Sequence, residues 1–189
     1  MKVLIGCEES GTVSAAFRKL GHEAWSCDLQ PTRGNPEYHI QGDVYDAVNR
    51  HKWDLIILHP DCTALAVSGN RWYGKGQTKH EERLQSIDWT LRLWQAAKQQ
   101  AERVCLENPV SVIFSHIKNV QYIQPWQFGH GETKKTGLAL HNLPPLTPTK
   151  IVDGREQRVF KMPPGPNRKR DRSKTFQGVA DAMANQWNY

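Results

Sequence analysis

Apolar and polar positions follow one another along the chain in blocks that predict strands and helices in turn. Residues 2–6 form a short apolar run closed by a glycine, which predicts a buried strand. Apolar residues recur at helical spacing over residues 12–20, and Gly21 ends this predicted helix. A second strand is expected at residues 23–28. The order of strand, helix and strand is typical of an α/β sheet with parallel strands.

The same alternation continues through the rest of the chain. Residues 54–60 form the clearest strand, a continuous apolar run that ends at a proline. Further strands are expected at 104–106 and 136–140, and a closing helix at 179–187. A long helix is predicted at 81–103, with five apolar residues on the stripe that faces the core: Leu84, Ile87, Leu91, Trp94 and Ala97. The fold class is therefore α/β, a mostly parallel sheet with helices on both faces.

Polar residues collect where the predicted strands end. The turn 6–11 follows the first strand, Asp28 ends the second, residues 59–62 follow the clearest strand, and Glu107 and Asn108 follow the next. Taken singly, each has an ordinary explanation, because a cysteine near a strand end usually packs and Glu-Asn-Pro usually forms a turn. Ligands of such sheets bind at the carboxyl ends of the strands. The ordered set therefore predicts one site at this rim.

Composition and length narrow the class of protein. With 189 residues, of which 38% are hydrophobic and 23% charged, one globular domain spanning residues 1–189 is expected. No apolar run approaches the roughly 20 residues of a membrane helix, and the first residues lack a secretory pattern. The four cysteines have no zinc-site spacing, so no metal site is expected. Free thiols in a cytoplasmic protein are the simplest interpretation.

Positive charge is concentrated near the end of the chain. Residues 150–174 carry nine basic and three acidic side chains, an excess of six that equals the whole net charge of +6. Such a block is typical of a nucleic-acid contact, and a solvated loop is the alternative. Its Pro-Pro-Gly-Pro stretch predicts an exposed loop rather than a helix face. The expected phosphate-binding residues are Arg155, Arg158, Arg168, Lys169, Arg170 and Arg172.

The order of these motifs resembles that of the DNA cytosine-5 methyltransferases, and more closely their short phage and prophage members. The family's Pro-Cys-Gln-x-Phe-Ser loop, with a glycine seven residues after the cysteine, is matched by Cys62 and Gly69. Residues 107–109 match its Glu-Asn-Val, with proline in place of valine. Residues 128–136 are similar to its Tyr-Gly-x-Pro-Gln-x-Arg-x-Arg, with Lys134 and Thr136 in the two arginine positions.

The resemblance implies a Rossmann-like methyltransferase sheet that uses S-adenosyl-L-methionine, with DNA as the partner. It implies catalytic roles for Cys62, Glu107 and Lys134. The thiolate of such a cysteine adds to carbon 6 of cytosine, the glutamate shares a proton with ring nitrogen 3, and a cation assists at the ring carbonyl. The cofactor would be bound by Gly6, Cys7, Gly11, Asp28, Asp43 and Pro60.

A target-recognition domain is expected to be minimal or absent. The interval 143–172, where the family carries that domain, is a basic, proline-rich insertion. Either specificity is low, or a protein partner or an oligomer supplies it, or the substrate is smaller than DNA. RNA, a pyrimidine nucleotide, and a catalytically inactive nucleic-acid-binding relative of the anti-restriction type stay open as alternatives. The resemblance implies the cytoplasm of a bacterial host or a phage-infected cell.

Overall fold

The computed structural model describes all 189 residues. A seven-stranded sheet lies at its centre, with the strand order β3-β2-β1-β4-β5-β7-β6. Neighbouring strands from β3 to β5 are parallel, whereas β7 runs antiparallel to both β5 and β6. The strands are β1 (Lys2–Gly6), β2 (Glu23–Asp28), β3 (His39–Gln41), β4 (Trp53–Leu58), β5 (Ala101–Pro109), β6 (Val120–Ile123) and β7 (Thr136–His141).

Helices cover both faces of the sheet. They are α1 (Thr12–Lys19), α2 (Val44–Asn49), α3 (Asn70–Tyr73), α4 (His80–Gln100), α5 (Arg158–Lys161), α6 (Arg168–Ser173) and α7 (Gln177–Gln186). One hydrophobic cluster joins α1 and α7 to the sheet, and a second joins α2 and α4 to its other face. The expected Rossmann-like sheet with helices on both faces is confirmed. No helix combines the length and the apolar character that crossing a membrane requires.

All the predicted strands and helices are present, but several of their predicted boundaries are wrong by one to three residues. Strands β1 and β2 have the predicted limits, and β5 extends beyond the predicted residues 104–106 in both directions. The helix predicted to reach residue 103 ends at Gln100, because Ala101 already pairs with Trp53 of β4. Strands β3 and β6 and helices α2 and α3 were not predicted. The two strands are three and four residues long and lack a continuous apolar run.

The buried stripe of α4 differs from the predicted one. Leu84 is 46% exposed, whereas the preceding residue, Arg83, is only 5% exposed. Ile87 and Leu91 pack at the edge of the core, and Trp94 and Ala97 are buried as expected. The helix turns Arg83 inward because its guanidinium group has buried oxygen atoms to bind, as described below.

The basic segment near the end of the chain is exposed, as predicted, but it is not all loop. Helices α5 and α6 lie on either side of the Pro-Pro-Gly-Pro stretch, and neither contains a buried residue. Proline prevents helix formation only locally. The flanking basic residues can therefore form single helical turns.

Candidate active site

Two side chains meet at the carboxyl ends of β4 and β5. The strands pair in parallel with Leu58 beside Leu106, so the next residues, His59 and Glu107, also lie side by side. On the other edge of β4, the backbone N–H of His59 donates to the carbonyl of Gly6, at the end of β1, at 2.9 Å. His59 Nδ1 lies 3.0 Å from Glu107 Oε2, and the two side chains are only 10% and 14% exposed. The sheet register therefore builds a buried histidine–carboxylate pair.

Hydrogen bonds hold the loop that carries Cys62 on two sides. The N–H of Val67 donates to the carbonyl of Val110, beyond the end of β5, at 3.0 Å. On the other side Arg83 of α4 donates to the carbonyls of Ala64 and Ala66, at 2.7 and 3.2 Å. A third bond from this guanidinium group reaches Asn70 Oδ1 at 2.7 Å. The loop is thus held in one shape by buried hydrogen bonds.

Burial and nearby charges set the pKa of the Cys62 thiol. Burial raises the pKa of this thiol, and the negative charges of Asp61 and Glu107 raise it further, whereas Lys134 lowers it. All three expected catalytic residues therefore lie within electrostatic reach of one another. The balance keeps the thiol protonated in the resting protein, so the thiolate requires compensation of the nearby negative charge.

Glu107 and Lys134 line a small cleft of about 20 Å³. Burial alone raises the pKa of Glu107, but the hydrogen bond and charge of His59, with the charge of Lys134, outweigh it and hold this pKa below the usual range. The cleft is completed mainly by Pro125, Thr136, Phe176 and Val179. Cys62 does not line this cleft.

The turn after β1 is built by close packing. A Cβ at Gly6 would lie 2.7 Å from Val44 Cγ2, and one at Gly11 would lie 3.1 Å from the Cα of Gly34. Cys7 adopts a left-handed conformation, with φ of 59°, which a side chain other than glycine rarely takes. Gly6 and Gly11 are therefore required by packing against the chain itself, and the strain is concentrated at Cys7.

Glu8 occupies the N-terminus of α1. Its carboxylate accepts hydrogen bonds from the N–H groups of Val13 and Ser14, at 2.6 and 3.2 Å, and the residue is 5% exposed. The N-terminus of a helix in this position commonly binds a phosphate or another anion. Here the chain's own carboxylate takes that place, so this end of the sheet does not offer those N–H groups to a phosphate.

Carboxylates surround Cys7. The pKa of the Cys7 thiol is raised, mainly by burial. The negative charge of Asp28 raises it further, and those of Asp43 and Asp61 also contribute. Asp28 Oδ1 accepts from the N–H of Gln30 at 2.9 Å, and Asp43 Oδ1 caps α2 by accepting from Tyr45 at 2.7 Å. The second oxygen atom of each makes no hydrogen bond within the chain. This part of the rim is therefore suited to hydroxyl groups and to positive charge.

Asn108 holds Pro60 at the same rim. The Asn108 side chain, in a residue 1% exposed, donates from Nδ2 to the carbonyl of Pro60 at 2.9 Å. The link fixes the turn between β4 and the Cys62 loop to the end of β5. Pro60 is thereby positioned by the neighbouring strand.

Residues 158–174, here called the basic strap, fold back onto the rim. Lys169 Nζ lies 2.9 Å from Asp61 Oδ2, next to Cys62. Arg170 pairs with Glu9, in the turn after β1. Lys134 Nζ donates to the carbonyl of Arg172 at 2.9 Å. The strap therefore covers the edge of the candidate site and neutralises part of its acidic surface.

The other expected phosphate ligands also make contacts within the chain. Arg158 pairs with Glu132, whose side chain is 2% exposed, at 2.9 Å. Arg155 stacks on Trp126, with 3.9 Å between its guanidinium carbon and the ring centroid. Arg168 Nε donates to the carbonyl of Met162 at 2.7 Å. In this state five of the six basic side chains have partners within the chain, and Arg172 makes its contact through its backbone carbonyl. A nucleic acid would have to compete for those five.

Sequence reasoning assigned no role to four residues that build the site: Glu8, His59, Arg83 and Asn108. It placed His59 and Asn108 at the rim but missed Glu8 as a helix cap and Arg83 altogether. For His59 the available signal is its place at the end of an apolar strand, level with the other rim residues. For Arg83 the signal is a cation next to the predicted apolar stripe of a helix.

Comparisons with known proteins give no family. No protein-family model matches the chain, and no curated protein matches it. Solved structures do match: a candidate DNA modification methyltransferase encoded within an E. coli prophage has 11% identity and a TM-score of 0.46, over 79% of this chain and 51% of that one. The Dnmt2 methyltransferase of S. pombe has 16% identity and a TM-score of 0.46, over 84% and 52%.

A third match is the bifunctional kinase-methyltransferase WbdD, with 15% identity and a TM-score of 0.42, over 72% of this chain and 34% of that one. The chain thus spans about half the length of each of the first two proteins and about a third of WbdD. At these identities and TM-scores the matches carry no argument about activity.

Proposed function

We propose that the chain transfers a methyl group from S-adenosyl-L-methionine to carbon 5 of cytosine in DNA. The observation that carries the proposal is a juxtaposition at the carboxyl ends of β4 and β5: Glu107 and Lys134 line one cleft, and the loop that carries Cys62 begins at Pro60, which Asn108 holds to β5. Cys62, Glu107 and Lys134 are the residues that the proposal uses. These three types of side chain are the ones that the reaction needs: a thiol nucleophile, a proton donor and a cation. Ligands of such sheets bind at this rim.

In this reaction the Cys62 thiolate forms a bond to carbon 6 of the ring, and the double bond between carbons 5 and 6 opens. Glu107 delivers a proton to ring nitrogen 3, so that no negative charge builds up on the ring. Lys134 stabilises the charge that develops at the ring carbonyl oxygen. Carbon 5 would then bond to the methyl group that the cofactor supplies, as the bond between that methyl group and the sulfur breaks. A base would take the proton from carbon 5, the bond to Cys62 would break, and the ring would recover its double bond.

The rim fits a cationic cofactor better than a phosphate-bearing one. Glu8 occupies the helix end at which phosphates bind, and Asp28 and Asp43 each keep one carboxylate oxygen free of hydrogen bonds within the chain. S-adenosyl-L-methionine, when bound, supplies an electrophilic methyl group on a positively charged sulfur. Asp28 and Asp43 would hold its hydroxyl and amino groups, and the acidic surroundings would favour its positive charge.

DNA is the favoured substrate because the basic strap borders the site. Its lysine and arginine side chains bind carboxylates such as Asp61 and Glu9, and phosphates are ligands for the same groups. DNA would exchange these internal pairs for contacts with its backbone. In a duplex the target base must leave the stack to reach Cys62.

Labelled S-adenosyl-L-methionine tests the proposal directly. The protein is incubated with it and with duplex DNA, RNA or dCMP in separate reactions. Label is expected in DNA, and Cys62→Ser is expected to abolish it, whereas Cys105→Ser, at a buried core position, serves as the control for loss of a thiol. Label in RNA or dCMP alone would replace the proposed substrate, and no label in any substrate would overturn the proposed activity.

A further inference from the structure

Two orphaned polar atoms lie in the candidate site. The chain has three buried side-chain polar atoms without a hydrogen-bond partner, and two of them are His59 Nε2 and Asn108 Oδ1. Burying such an atom without a partner costs free energy, so native proteins keep few of them and often for a function. Both residues lie at the ends of β4 and β5, beside Glu107.

The histidine ring is oriented by Glu107. Nδ1 points to the carboxylate at 3.0 Å, which is hydrogen-bonding distance, and the side chains are nine-tenths buried or nearly so. A neutral imidazole with its proton on Nδ1 satisfies this contact but has no second proton to give. The imidazolium ion carries protons on both ring nitrogens, so its Nδ1 proton can cross to the carboxylate and leave a neutral ring with its proton on Nε2.

We propose that His59 is a positioning residue that stores, on Nδ1, the proton that Glu107 delivers to ring nitrogen 3 of the target base. The role rests on the proposed function and deepens it. The Nδ1 proton crosses to Glu107, Glu107 passes a proton to ring nitrogen 3, and His59 remains as neutral imidazole. When the bond between Cys62 and carbon 6 breaks, the proton returns along the same path, so no other reactant is needed.

Other charged or titratable groups face this pair. They are Lys134, from the segment before β7, Cys62, from the loop after β4, and Cys105, on β5. Lys134 favours the carboxylate form of Glu107, which leaves the stored proton on His59 until a base binds. A protonated His59 also offsets the negative charge of Glu107, which otherwise opposes formation of the Cys62 thiolate.

The first test is the pH dependence of single-turnover methyl transfer in His59→Asn. The asparagine amide can replace the Nδ1–H donor, so it preserves the hydrogen bond to Glu107 but carries no transferable proton. An ordinary carboxyl titrates about two pH units below an ordinary imidazole. The alkaline limb of the His59→Asn profile is therefore expected to lie at least about one pH unit below that of wild type. At a pH above both limbs, this shift corresponds to a rate loss of about tenfold. His116→Asn, at an exposed position, is the matched control and should keep the wild-type profile.

The second test needs no activity. The carboxyl carbon of Glu107 is followed by NMR during a pH titration of wild-type protein and of His59→Asn. Loss of the histidine charge is expected to move the Glu107 titration to higher pH, because that charge helps to lower its pKa.

The outcomes separate the two proposals. An active His59→Asn with an unchanged alkaline limb, or an unchanged Glu107 titration, overturns the role of His59 and leaves the proposed function standing. A wild-type protein that transfers no methyl group overturns the proposed function, and the role of His59 in delivering a proton falls with it.

Discussion

Replacing Arg83 by methionine is expected to loosen the Cys62 loop and to destabilise the protein. The guanidinium group makes three hydrogen bonds, of which those to the carbonyls of Ala64 and Ala66 are buried. Methionine fills most of the volume and leaves both carbonyls without these donors. Because Arg83 is only 5% exposed, water cannot easily replace it.

The magnitude follows from the number of buried bonds. A hydrogen bond to a charged group contributes about 1.5–3 kcal/mol, so losing two gives about 3–6 kcal/mol before any relaxation. Burial of the apolar methionine side chain returns about 1.5–3 kcal/mol at most. A loss of about 2 kcal/mol is therefore expected, a substantial part of the roughly 5–15 kcal/mol that stabilises a typical domain.

Urea unfolding of three variants measures this loss. Arg83→Met should lower the midpoint without changing the slope, and Arg83→Lys, which keeps the charge and can reach one carbonyl, should lose about half as much. Arg92→Met on the same helix removes only an exposed pair with Asp88, worth about 0.5 kcal/mol, and is the matched control. A loss below about 1 kcal/mol in Arg83→Met would refute the reasoning.

Three further predictions concern packing, pH and salt. Gly178→Ala makes a Cβ collide with the backbone carbonyl oxygen of Phe128, so it should lower the thermal midpoint strongly. Gly165→Ala, where no atom lies within 4 Å of the new Cβ, should not, and equal midpoints would contradict this. The pKa of Glu107 is lower in the folded protein than its unfolded value of about 4.3, so its carboxylate stabilises the fold above that pH, and this stabilisation is lost as the pH falls. In urea unfolding between about pH 5 and pH 3, wild type should therefore lose more stability than Glu107→Gln. Salt at about 0.5 M should screen the exposed ion pairs of the basic strap and speed its cleavage by trypsin, and an unchanged rate would contradict the strap's electrostatic attachment.

Local sequence patterns predict the centre of the sheet but not its edges. Strand β1 has its predicted limits because consecutive apolar residues, Val3 to Ile5, mark a buried parallel strand. Strand β3, with the sequence His-Ile-Gln, has too few apolar residues to be distinguished from a loop. The end of α4 was misplaced because the helix passes directly into β5, and the pairing of Ala101 with Trp53 decides the boundary.

The rim residues could be predicted as a set, because the ends of parallel strands meet at one edge. Their contacts could not. The pair of His59 and Glu107 depends on the register between β4 and β5, which the sequence of neither strand specifies alone. The ion pair of Lys169 with Asp61 joins residues 108 positions apart, and the folding back of the strap follows only from the tertiary structure.

Trapping the covalent intermediate tests the central claim most directly. Duplex DNA containing 5-fluorocytosine is incubated with the protein and S-adenosyl-L-methionine. Fluorine replaces the proton that a base must remove from carbon 5, so the bond between the ring and the enzyme persists. Mass spectrometry of the digested complex is expected to find the modified base attached to Cys62, and no adduct in Cys62→Ser. An adduct at another residue, or none in a protein that methylates cytosine in DNA, would contradict Cys62 as the nucleophile.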